Sequence, residues 1–101
     1  MRILINKFLS TKPERIFMEI LKKNHIPFKH RVDVGGVEVD FIIGNYAVEI
    51  DGHQQSPFKN AWLLKQGYNL IHYNNNALYS NRTEVERDIK QRYGFLSKNS
   101  R

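Results

Sequence analysis

The sequence predicts one small α/β domain, ordered helix, three strands, helix, strand, helix. Three observations carry this. Apolar residues recur at helical spacing after Thr11. Between Phe28 and Asp51 the period changes to two, and Gly35-Gly36 and Gly44-Asn45 interrupt it as two-residue hairpin turns do. The length, 101 residues, allows one modest core and no separate regulatory domain.

The first helix is predicted from about Lys12 to Asn24. Thr11 can N-cap it, and Glu14 three residues on completes a capping-box pattern. Ile16, Phe17, Ile20 and Leu21 form its apolar face, and His25-Ile26-Pro27 ends it. Strands follow at Phe28–Val34, Val37–Ile43 and Tyr46–Asp51. Ser56 and Pro57 open a second helix as N-cap and first helical residue. This helix carries Trp62 as a core residue and stops at Gly67. Tyr68–Tyr73 reads as a fourth strand and Asn74–Asn76 as a loop. Thr83-x-x-Glu86 caps a last helix ending near Tyr93-Gly94, with a polar tail from about residue 97. Met1 to Phe8 gives no clear reading.

There is no cysteine, which excludes disulfides, thiolate metal sites and a cysteine nucleophile. No stretch approaches the ~20 apolar residues of a membrane span, and no signal peptide is evident, so no membrane partner is expected and the cytoplasm is the expected location. Net charge is +6. Its distribution says more: Asp33 to Asp51 holds five acids and no Lys or Arg, a formal −5 inside a chain that is otherwise +11. A phosphate-binding module has no reason to concentrate acids. A site that brings a divalent cation against nucleic acid does.

With a two-residue Gly44-Asn45 turn, Asp40 falls opposite Glu49 and Glu38 opposite Asp51. All four then share one face, leaving Val39, Phe41, Ile43, Tyr46, Val48 and Ile50 on the other. Directly opposed acids repel, and a hard cation such as Mg²⁺ would offset that. Asp40, Glu49 and the Ile50 carbonyl would make an open oxygen site. The competing reading is an ordinary solvated strand face, but acids are poor strand formers and four are more than solubility asks.

Val39-Asp40, a short turn, then Glu49-Ile50-Asp51-Gly52-His53 resembles the core of the PD-(D/E)XK nucleases, in the branch related to very-short-patch-repair endonucleases. The likeness extends from about Thr11 to Tyr93. It takes in Ile26-Pro27-Phe28-Lys29, Leu63-Leu64-Lys65-Gln66-Gly67-Tyr68 and Asn69-Leu70-Ile71-His72-Tyr73. The resemblance implies a restriction-endonuclease-like mixed sheet flanked by helices, Mg²⁺-dependent phosphodiester cleavage (Mn²⁺ substituting) and a DNA substrate. By position, Asp40 and Glu49 are its metal carboxylates, Asp51 stands where the superfamily usually has a Lys, and Glu14 matches a helix-one glutamate. The sequence departs from the pattern at that Lys and in the helix after Gly52, where Ser56-Pro57-Phe58-Lys59-Asn60 lacks the usual Asp and Arg.

The expected function is thus a Mg²⁺-dependent DNA endonuclease, with a DNA-binding module that kept the fold and lost the chemistry as the alternative. His53 is a candidate proton acceptor, weighed equally against a loop His that caps the next helix. Lys59, Lys65 and Gln54 are candidate nucleic-acid contacts, set against plain solvated positions. The capping box alone would account for Glu14, while His30 and His72 read as ordinary half-buried residues. A nuclease of this size that cuts both strands would act as a homodimer, and a nickase as a monomer.

Overall fold

The computed structural model describes residues 11–51 and 56–97, with Asp51 described by its backbone. Helix α1 (Lys12–Lys23) starts at Thr11, whose hydroxyl accepts the Glu14 amide at 3.4 Å. Its end is a Schellman motif. The Ile26 amide donates to the Leu21 carbonyl at 3.0 Å and the His25 amide to Lys22 at 3.1 Å. His25 holds the left-handed position (φ 58°) that glycine usually takes there.

The sheet runs β1 (Lys29–Val34), β2 (Val37–Ile43), β3 (Tyr46–Asp51), β4 (Asn69–Asn74), in that spatial order. The first three strands are antiparallel, and β4 is parallel to β3. A parallel neighbour requires a crossover, and α2 (Pro57–Lys65) supplies it, with the Ser56 hydroxyl accepting the Lys59 amide at 3.3 Å. The chain closes with α3 (Asn75–Ser80), α4 (Arg82–Tyr93) and a 3₁₀ turn. The result is a mixed four-stranded sheet flanked by helices, as expected.

Two element predictions fail. No loop occupies Asn74–Asn76: Asn74 ends β4 and N-caps α3, its side chain accepting the Asn76 amide at 2.7 Å, and Leu78 is fully buried. A run of Asn reads as a loop because Asn favours turns, but the same chemistry caps helices. The last helix begins at Arg82, so Thr83 is an exposed first-turn residue and not the cap.

The expected division of faces also fails, in an instructive way. Phe41, Ile43, Val48 and Ile50 pack with α1 and α4 on one face, whereas Val39, Ile42, Ala47 and Leu63 form a second cluster beneath α2. Val39 and Ile42 share a face though three residues apart, so strict alternation breaks between them. The same break occurs in β1. His30 stacks on Phe41 at 4.8 Å, while Val32 and Val34 join the α2 cluster. Cross-strand partners run His30–Phe41 and then Val32–Val39, with Arg31 and Asp40 absent between them. Arg31 has φ 56°. One irregular residue in each strand, placed opposite each other, turns the hairpin over without changing its register.

Candidate active site

The inversion delivers Asp40 to a break in the next ladder. Partners across β2 and β3 run from Ile43–Tyr46 to Phe41–Val48 and stop there. Beyond that point side chains replace ladder bonds. The Ile50 amide donates to Asp40 Oδ2 at 2.8 Å, and the Asp40 amide donates to Glu49 Oε2 at 3.3 Å. Asp40 and Glu49 are therefore neighbours as predicted, but not as a directly opposed strand pair. Glu38 faces Asp33 across β1 and is not the partner of Asp51.

Both carboxyls are held above their ordinary range. Burial raises Asp40 most, and Glu14 adds to it against the pull of the Ile50 amide, Lys59 and Arg31. Burial also raises Glu49 most, followed by the charge of Asp40. Desolvated like charges favour either a proton or a cation. The cation present is Lys59, whose Nζ lies 3.0 Å from Glu49 Oε1.

Glu14 belongs to the same cluster. Its backbone completes the Thr11 cap, but its carboxylate is buried and turns inward, 3.2 Å from His30 Nε2 and 3.4 Å from Arg31 Nη2. The capping box is thus only half made. Arg31 also reaches toward Glu38, at 3.9 Å. His30 and Arg31 are the site residues the sequence reading missed. The available signal was that both sit on the strand facing Asp40, but nothing local marks the inversion that aims them.

The structure therefore brings together Glu14, Asp40, Glu49 and Lys59 of the predicted residues, with Ile50 contributing its amide. Lys65 is exposed in the last turn of α2, six residues and roughly 9 Å of helix beyond Lys59. Trp62, expected in the core, is 36% exposed and donates its indole N–H to the Val34 carbonyl at 3.0 Å. His53, Gln54 and the Asp51 side chain lie outside the described residues. Among the described residues no three His, Asp or Glu side chains gather as a ligand set. Asp40 and Glu49 form a two-carboxylate site, a donor number that suits an ion retaining several waters.

The architecture is a mixed sheet flanked by helices, with two acids where two strands part. Among solved structures, the chain is similar to the catalytic domain of the homing endonuclease I-Bth0305I. The TM-score is 0.68 and the identity 26%, over 81% of this chain and 93% of that one. No protein-family model and no curated protein matches the sequence.

Proposed function

We propose that this chain is a Mg²⁺-dependent DNA endonuclease of the PD-(D/E)XK type, in the branch related to very-short-patch-repair endonucleases. The observation that carries the reading is the desolvated Asp40–Glu49 pair at the parting of β2 and β3. It occurs in a fold shared with an endonuclease catalytic domain. Asp40 and Glu49 would hold the ion, and the Ile50 carbonyl would offer a third oxygen. When bound, the ion stabilises charge on the phosphate and lowers the pKa of water. Glu14, fixed by His30 and Arg31, sets the charge behind Asp40. Lys59, which contacts Glu49 without DNA, would be the nearest cation for the phosphate, with Gln54 and Lys65 as outlying contacts. His53 or Asp51 accepts the proton of the attacking water.

The test is nicking of supercoiled plasmid with Mg²⁺ or Mn²⁺ against EDTA. Wild type should cut only with metal, and Glu49→Ala should abolish cutting. One observation favours the second reading, a binding module without chemistry: Lys59 already neutralises Glu49. That reading predicts salt-sensitive DNA binding and no metal-dependent cutting in the same assay.

A further inference from the structure

We propose that Lys59 is a displaceable counter-ion: its ammonium fills the acid pair until a divalent ion arrives, and then turns to the phosphate of bound DNA. The inference rests on the metal reading of Asp40 and Glu49 and adds to it how the site stays folded and closed without metal.

Two independent observations support it. The first is the contact itself. Nζ lies 3.0 Å from Glu49 Oε1, on the one Glu49 oxygen that the Asp40 amide does not use. A metal binding Glu49 through Oε1 must move the ammonium. The second is the position of Lys59 in its helix. It sits in the first turn of α2, with Ser56 accepting its amide, and that turn contains no acid. Positive charge at a helix N-terminus opposes the helix dipole. The helix therefore gives this cation no support, whereas Glu49 holds it at 3.0 Å.

The ammonium also has a route outward. The Lys59 side chain is 30% exposed whereas that of Glu49 is 10% exposed, so the lysine borders solvent more than the acid it contacts does. Its neighbour Phe58 is 89% exposed, which places the start of α2 at the surface. Lys carries four rotatable carbons and a compact charge. A rotamer change moves that charge from Glu49 to the solvent side without moving the helix. The two events are then coupled, because the ion that takes Glu49 frees a cation for the incoming phosphate.

The experiment is Mn²⁺ titration by calorimetry of the full chain without DNA, on wild type, Lys59→Met and Lys59→Arg. Met keeps the length and removes the charge. A competing cation held on the ligand predicts that Lys59→Met binds Mn²⁺ about threefold to tenfold tighter, as expected for removing one nearby like charge in a partly solvated site. Lys59→Arg should stay near wild type. The Met variant should also melt lower without metal, show the larger rise in melting temperature with Mn²⁺, and cut DNA more slowly. A merely structural lysine would lower the melting temperature and leave Mn²⁺ affinity unchanged. If wild type binds Mn²⁺ and Lys59→Met binds it no tighter, the counter-ion role is overturned while the metal site stands. If neither protein binds Mn²⁺, the metal reading fails and this inference fails with it. Binding by Lys59→Met alone would support the role in its strongest form, with the ammonium fully occluding the site.

Discussion

Asp40→Asn separates the charge of the acid pair from its hydrogen bonding. The Asn carbonyl oxygen can still accept the Ile50 amide that Asp40 Oδ2 accepts at 2.8 Å, so the strand junction is kept. What is removed is the charge of half-buried Asp40 beside the buried charge of Glu49. Both carboxyls have folded-state pKa values raised above the usual 3.8 and 4.5. A raised acid binds its proton more tightly in the folded state. Its favourable contribution is complete below the unfolded pKa and is lost as pH rises through the folded pKa. Without metal, wild type should therefore lose stability as pH rises above about 4. Asp40→Asn should lose less, because Glu49 then titrates without its repelling neighbour. Relieving one like-charge contact between neighbouring strands is worth up to about 1 kcal/mol at pH 8. For a chain this size that is roughly 4–8 °C in melting temperature. Near pH 4 the two proteins should melt together. Metal reverses the order. At a hundredfold excess over Kd, ligand linkage adds about 2.7 kcal/mol to wild type. A variant binding a hundredfold more weakly gains only about 0.4 kcal/mol at the same concentration. Thermal melts at pH 4 and 8, with EDTA and with Mg²⁺, read all four quantities. Equal metal shifts in both proteins, or a wild-type advantage in EDTA at pH 8, would refute the placement of the ion on Asp40.

Other outcomes follow from features away from the acid pair. His25→Gly should raise metal-free stability by about 1 kcal/mol, since His25 holds φ 58° at the helix end where glycine carries no Cβ penalty; chemical denaturation measures it. Gly35→Ala should destabilise by about 1–3 kcal/mol, because a Cβ there would lie 2.8 Å from Trp62 Cζ2 and φ is +60°. The same melt on a Trp62→Phe background should show a smaller loss. His53→Ala, if His53 takes the proton from water, should cut roughly 10²–10⁴-fold more slowly while binding Mn²⁺ normally; an unchanged rate and pH profile would assign the proton to another group.

Much of the fold could be read from local chemistry. Thr11 and Ser56 cap the helices they were expected to cap, and the glycine pairs turn the hairpins. The adjacency of Asp40 and Glu49 was also legible, because a two-residue turn fixes which residues can meet. The face assignment was not. Val37, Val39, Phe41 and Ile43 alternate perfectly, and nothing in that string shows that Val39 serves a different core from Phe41. The break falls at the opposed pair Arg31 and Asp40, with Arg31 at φ 56° on the other strand. For the same reason nothing local marks Arg31 or His30, and local pattern alone reads Glu14 as a cap; only the family resemblance also names it for the site. The sequence shows a capping box, while the tertiary structure takes its carboxylate for the site.

The opposed irregularities at Arg31 and Asp40 also constrain how this hairpin can change in length. Each strand carries one extra residue at the same level, so the two errors of phase cancel. Deleting Arg31 alone, or Asp40 alone, would leave one strand a residue longer than the other, and the hairpin would have to bulge or slip its pairing. Removing both would restore an uninterrupted ladder in which His30 adjoins Val32 and Val39 adjoins Phe41. Adjacent strand residues face opposite ways, so Val32 and Val39 would keep their places in the apolar cluster that Leu63 of α2 joins. Such a hairpin would have lost only one of the two acids. In this domain the paired insertion serves the carboxylate site and not the seating of the crossover helix, so a lineage could shed it, keep the fold and give up the site.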